Sequence, residues 1–244
     1  MDKSGQEIRD RVRRFIEDST DTESFSYRQA EFSSLFCELA SLQYRKSQLL
    51  RRYWDTFSSC RAGVSSWDEV IPLPVQMFKS FEVRSYKRHA DERVWQSSGT
   101  TGQKSQHFMA NTSIYDLVIK KLWIQPVISS PGLRTIRLIP TERAWPNSSL
   151  AHFFSVGHMN ELSSSDNRWI SGIESLYVSV TGSLPFILDV HGTLRHIRAC
   201  EQLSVPVRLV GTSYALVRFM EELEVRRETR VLPAVPRSLI RLVS

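Results

Sequence analysis

Cysteine is scarce. Three residues, Cys37, Cys60 and Cys200, lie far apart with no C-x-x-C pair. That excludes a disulfide framework and a zinc ribbon and fits a reduced cytoplasmic compartment. Long apolar runs are also missing. One long uncharged stretch, Ser175 to Leu188, is interrupted by Ser, Thr, Gly and Pro, whereas a bilayer-spanning helix needs about 20 apolar residues. No membrane span is expected. The stretch from Met1 to Phe15 is charged and has no apolar h-region, so it is not a secretory signal. No G-x-x-x-x-G-K-[ST], G-x-S-x-G or His-x-x-x-His pattern occurs, which disfavours a Walker A nucleotide site, a serine hydrolase and a helical zinc site. His107, His152 and His158 are scattered, so no metal site is expected. Internal repeats and low-complexity tracts are absent as well.

Charge of one sign is not massed in any long block. The net charge of +6 suits an anionic partner such as nucleotide phosphates. The densest basic cluster, Arg9, Arg11, Arg13 and Arg14, is interleaved with Glu7, Asp10, Glu17 and Asp18. That is the pattern of a solvated helix face rather than a nucleic-acid arm, so nucleic acid is not an expected partner. In the 244 residues, 41% are hydrophobic and 24% charged, which places the chain among ordinary globular proteins rather than disordered ones.

The periodicity predicts helices first and an alternation of strand and helix later. Ile8, Val12, Phe15 and Ile16 share a face over Gln6 to Asp18. Phe32, Leu35, Phe36, Leu39, Leu42, Leu49, Leu50 and Tyr53 predict one long helix from about Arg28 to the late fifties. Pro72 and Pro74 in Ile71-Pro72-Leu73-Pro74-Val75-Gln76-Met77-Phe78-Lys79 forbid a regular helix there and allow a short one after Pro74. Arg93 to Ser97 and Gln106 to Ala110 predict a hairpin. Ser113 and Asp116 have capping-box spacing ahead of a helix carrying Ile114, Leu117, Val118, Leu122 and Trp123. Beyond that the pattern reads strand (Arg134 to Ile139), helix (Leu150 to Glu161), a Ser163 to Asn167 surface loop, and helix (Thr193 to Leu203). A strand (Pro206 to Val210) and a helix (Tyr214 to Leu223) follow, with Leu216, Val217, Met220 and Leu223 facing inward. Strand, glycine-containing turn, helix is the unit of an α/β sheet.

The segment that carries chemistry is Gln96-Ser97-Ser98-Gly99-Thr100-Thr101-Gly102-Gln103-Lys104-Ser105. Gly99 and Gly102 allow the backbone to approach a ligand closely. Successive N–H groups of such a turn make an anion nest. The hydroxyls of Ser97, Ser98, Thr100 and Thr101 are further donors, and Lys104 adds a mobile positive charge. Together these groups suit a triphosphate. By composition alone the segment also reads as a plain Ser/Thr/Gly surface turn.

Order and context identify it further. Ser97 to Gly102 resembles the phosphate-binding motif of the adenylate-forming superfamily, which includes acyl-CoA synthetases and luciferases. The Ile71 to Lys79 run ahead of the loop narrows the resemblance to the acyl-protein synthetase family, the long-chain-fatty-acid luciferin-component ligases. Asn147-Ser148-Ser149-Leu150 and Leu209-Val210-Gly211-Thr212-Ser213-Tyr214-Ala215 are similar too, so the resemblance extends from the first long helix to near Leu223.

The resemblance implies ATP-dependent activation of a long-chain fatty acid, or another carboxylic acid, as an acyl-adenylate. The acyl group would pass to a protein thiol, with an acyl reductase or an acyl carrier protein as partner, and ATP and Mg²⁺ as cofactors. Ser97, Ser98, Gly99, Thr100, Thr101 and Gly102 would hold the β- and γ-phosphates. Lys104 stands one place away from the Pro-Lys pair that often follows the loop in the superfamily. Gly211, Thr212 and Ser213 would line the acyl or adenylate pocket; the residues themselves equally allow a helix N-terminus satisfying its own amides. No catalytic residue is assigned. The implied fold is α/β: a helical N-terminal layer over 1–60, an ATP-binding core over 61–230 forming part of the large domain of an adenylate-forming enzyme, and a divergent tail over 231–244. Family members also carry a Thr-Gly-Gly-type nucleotide motif and a C-terminal catalytic region with the acyl-accepting cysteine, and the chain has neither. That predicts a truncation or an altered frame near Pro233. It leaves a non-catalytic nucleotide- or acyl-binding remnant, or an acyl- or aryl-CoA ligase-like fragment, as competing expectations.

Overall fold

The computed structural model describes residues 3–19, 28–57, 64–89, 92–97, 103–123, 134–162, 177–179, 186–205 and 207–225. Helices mix with small two-stranded sheets, an arrangement compatible with an α/β class. The chain divides into two compact units, Met1–Lys121 and Leu122–Ser244. No helix among the described residues is long and apolar enough to cross a membrane.

The first unit opens with α1 (Lys3–Asp18) and α2 (Gln29–Lys46). Their contact is aromatic: the Phe15 and Phe32 ring centroids are 6.3 Å apart, and the Arg28 guanidinium lies 4.1 Å from the centre of the Phe15 ring. Arg11 of α1 pairs with Glu38 of α2. The long helix anticipated from Arg28 to the late fifties is in fact two, α2 and α3 (Gln48–Trp54). Ser47 between them is extended, at φ −103° and ψ 108°. Its N–H still donates to the Gln43 carbonyl at 2.8 Å, and its Oγ accepts the Leu50 N–H at 3.3 Å. One residue therefore ends one helix and caps the next, which apolar spacing does not register. Leu50 and Trp54 of α3 bury against Ala40 of α2, with Tyr44, Tyr53, Val64, Val70, Ile71 and Leu73 around them. The Trp54 indole N–H donates to the Ile71 carbonyl at 2.7 Å, so this core fixes the start of the proline-containing run.

A 3-10 turn, Trp67–Glu69, precedes that run, and the short helix anticipated after Pro74 is α4 (Met77–Ser80). The expected hairpin is present as β1 (Arg93–Gln96) and β2 (Gln106–Met109), antiparallel and paired from Arg93↔Met109 to Gln96↔Gln106. It leads into α5 (Ser113–Trp123). The capping box expected at Ser113 and Asp116 is not formed: Ser113 Oγ donates to Asn111 Oδ1 at 2.9 Å instead. Thr112 is the residue whose carbonyl accepts the Asp116 N–H, at 2.8 Å, and its hydroxyl donates to the Asp116 carboxylate at 2.9 Å. Ile119 is the buried anchor of α5, while Leu122, expected on its apolar face, is exposed.

The second unit is built on β3 (Arg134–Leu138) and β6 (Val207–Gly211), parallel neighbours in register from Arg134↔Val207 to Leu138↔Gly211. Between them in sequence come α6 (Ser149–Leu162), the antiparallel pair β4 (Tyr177–Ser179) and β5 (Phe186–Leu188), and α7 (Val190–Gln202). The helix α8 (Ser213–Val225) follows β6. The β4–β5 pair is an addition to the expected elements. One sheet face presents Ile136, Leu138, Val207 and Leu209 to Val190, Leu194, Ile197 and Cys200 of α7 and to Ala215, Phe219 and Leu223 of α8. Each such aliphatic or aromatic burial contributes about 1.5–3 kcal/mol. On the alternate face Arg137 donates to the Phe154 carbonyl of α6 at 3.0 Å, and Arg208 and Val210 are buried. Val217 and Met220, expected to face inward on α8, are exposed, as is Leu203 beyond α7. Leu223 is buried and Leu216 packs against the core as expected, and the buried stripe of α8 is completed by Ala215 and Phe219.

Candidate functional site

The candidate phosphate loop hangs between β1 and β2. Ser98, Gly99, Thr100, Thr101 and Gly102 lie outside the described residues, while both ends of the loop are defined. The Ser97 N–H donates to the Ser105 carbonyl at 3.1 Å, and the Ser105 N–H donates back to Ser97 Oγ at 2.9 Å. This exchange extends the ladder one pair past Gln96↔Gln106 and closes the loop's neck. It also assigns the Ser97 hydroxyl a structural acceptor role. Ser105 is buried. Lys104 beside it is exposed, so its ammonium is accessible from solvent.

Side chains alternate across a hairpin, which gives each face its own cover. Trp95, Ser97, Ser105 and His107 share one face. The Trp95 ring centroid lies 4.9 Å from that of Tyr115 in α5. His107 stacks on Phe78 of α4, with centroids 4.6 Å apart and planes 21° apart, and its Nε2 is 3.4 Å from Ser105 Oγ. The Gln103 side-chain amide donates to the Lys79 carbonyl at 2.7 Å. Phe78 and Lys79 close the Ile71 to Lys79 run. The two segments that carry the first unit's resemblance are thus in direct contact.

The other face carries Glu92, Val94 and Phe108, covered by Arg84. The guanidinium lies 4.0 Å from the centre of the Phe108 ring. Arg84 Nη1 is 3.2 Å from the Glu92 carboxylate and Nη2 is 3.1 Å from that of Glu82. Arg84 and Glu92 side chains are 11% and 7% exposed, so the pair is largely shielded. Burial, reinforced by the nearby Glu92 carboxylate, pushes the Tyr86 phenol up to about 12. Burial first, then the charge of Asp116, raises Tyr115. Sequence reasoning missed Arg84 and Glu92. Both sit in a charged stretch whose composition reads as surface, and only the fold turns them inward.

The second unit holds the other three candidate residues. Gly211 pairs with Leu138 at the carboxyl end of the parallel strands. A Cβ there would stand 3.1 Å from Leu138 Cβ and 3.4 Å from its carbonyl oxygen, so the close approach of β3 and β6 explains the glycine. Thr212 Oγ1 accepts the Ala215 N–H at 3.2 Å, and the Thr212 carbonyl accepts the Leu216 N–H at 3.0 Å. Thr212 is therefore the N-cap of α8, the alternative its sequence left open. Ser213 is exposed in the first turn. A feature without a sequence signal lies after β3: buried His152, in the first turn of α6, places Nδ1 2.8 Å from the Glu142 carboxylate. Cys200 is buried in the α7 core, consistent with a structural role. Among the described residues no group of three or more His, Cys, Asp or Glu could hold a metal ion.

No family model, curated protein or solved structure matches the chain.

Proposed function

We propose that this protein is an ATP-dependent acyl-activating ligase of the acyl-protein synthetase kind, acting on a long-chain fatty acid or a related carboxylic acid. The observation that carries the proposal is the seating of Phe78 and Lys79 against the hairpin that bears Ser97 to Gly102. Two stretches that resemble the same family in sequence are thereby one local structure. A turn rich in N–H groups, hydroxyls and glycines on a fixed neck suits the β- and γ-phosphates. Lys104, exposed next to the neck, is placed to add positive charge.

The chemistry follows from the weakness of a carboxylate as an acyl donor. A carboxylate oxygen attacks the α-phosphorus of ATP, the bond to the bridging oxygen breaks, and pyrophosphate leaves with that electron pair. A thiolate then attacks the acyl carbonyl and AMP departs. Mg²⁺ in nucleotide sites is held largely by the phosphates and water, with few protein ligands, so the hydroxyl-rich loop fits a metal that arrives with ATP. The protein's part is to hold the triphosphate in line and neutralise its charge. By the resemblance, Gly211, Thr212 and Ser213 of the second unit would take up the acyl or adenylate group, with the Thr212 hydroxyl committed to its helix cap.

Calorimetric titration with ATP and Mg²⁺ tests the loop. Thr100→Ala and Gly102→Val should each weaken ATP binding about tenfold, the scale of one or two lost hydrogen bonds to a charged group, while circular dichroism stays that of the wild type. Unchanged affinity in both variants would remove the loop from the site.

A further inference from the structure

One face of the hairpin is covered by Phe78 on His107 and by Tyr115 on Trp95, and Gln103 ties the loop's end to the Lys79 carbonyl. At the opposite face Arg84, Arg88 and Tyr86 gather around Glu92, and Arg84 reaches furthest across it. Arg84 lays its guanidinium over Phe108 of β2 at 4.0 Å and pairs at 3.2 Å with Glu92, the residue immediately before β1. It therefore touches both arms of the hairpin at once. Glu82 binds the same guanidinium from outside at 3.1 Å, and Arg88 approaches Glu92 at 3.8 Å. A planar guanidinium suits this post, because it stacks on a ring and pairs with carboxylates through separate edges. Lysine would keep the charge and lose the stack.

We propose that Arg84 is a positioning residue for the phosphate loop: it fixes the spacing of β1 and β2, and through them the neck at Ser97 and Ser105 from which the loop springs. The inference rests on the proposed ATP site, and it adds a residue that the family resemblance did not supply. Arg84 does not act on the reacting atoms. Its effect is on how well the loop's donors are pre-arranged for phosphate, so it should be felt in ATP affinity rather than in turnover at saturating ATP.

The test combines two measurements on the full chain. Amide exchange by NMR in the nucleotide-free protein follows the Ser97 and Ser105 N–H groups, with Leu209 and Val210 in the second unit as controls. In Arg84→Gln the two neck amides should exchange at least fivefold faster and the controls should be unchanged. In ATP–pyrophosphate exchange the same variant should raise the KM for ATP about tenfold with kcat within twofold. Arg84→Lys should recover only part of the loss, and Glu92→Gln, a milder change that keeps the stack on Phe108, should shift both readouts in the same direction by less. Unaltered neck amides in folded Arg84→Gln, or a fall in kcat without a rise in KM, would overturn the proposal. If the wild type binds no ATP, the proposed function fails, and the amide measurement alone still decides whether Arg84 holds the neck.

Discussion

At the scale of single residues, the behaviour of several groups is set by what packs around them. Tyr86 is one. Its raised value means that the folded state favours the neutral phenol. That contribution to stability is fully present below the usual tyrosine value near 10 and is lost as pH rises through about 12. Absorbance titration at 295 nm should show a late-ionising component that disappears in Tyr86→Phe; an identical curve for the variant would contradict the assignment. Gly211 is another. Its missing side chain lets β6 lie against Leu138, so Gly211→Val should cost about 1–3 kcal/mol by overpacking. Chemical denaturation would measure it, and a neutral effect would mean that the strands can part without cost.

At the scale of elements, helix and strand types were legible in the sequence, and their joints were not. The hairpin, the parallel strands and most helices follow from periodicity and from the placement of proline and glycine. The break at Ser47 does not, because one hydroxyl cap outweighs a continuous apolar stripe. Ser47→Ala removes the acceptor of the Leu50 N–H and should lower stability by about 1 kcal/mol, read as a fall in the thermal midpoint. An unchanged midpoint would show that backbone bonds alone set the break. On α8, Val217 and Met220 fitted one helical face as well as Phe219 fitted another. Burial in the core chose Ala215 and Phe219 beside the expected Leu223, a choice between faces made by tertiary partners that spacing left open.

At the scale of the whole molecule, the α/β organisation was readable because β3 and β6 are short strands with apolar residues at alternate positions, each followed by a helix-forming segment. The β4–β5 pair was not, since its three-residue strands are too short to show a period. Leu138 is fully buried in the core of the second unit, so Leu138→Ala should cost about 2–5 kcal/mol, visible by denaturant titration of the full chain. For the candidate site, residue types and order were legible and the supports were not. Phe78 on His107, Gln103 on Lys79 and Arg84 on Phe108 are contacts across sequence gaps that no local pattern encodes.

The central claim is adenylate formation, and ATP–pyrophosphate exchange addresses it most directly. With Mg²⁺, labelled pyrophosphate and a panel of fatty acids of graded chain length, label should enter ATP only when an acid is present. Exchange should favour long chains and fall about tenfold or more in Gly102→Val. Acid-independent exchange, or no exchange with any acid in the panel, would contradict the account.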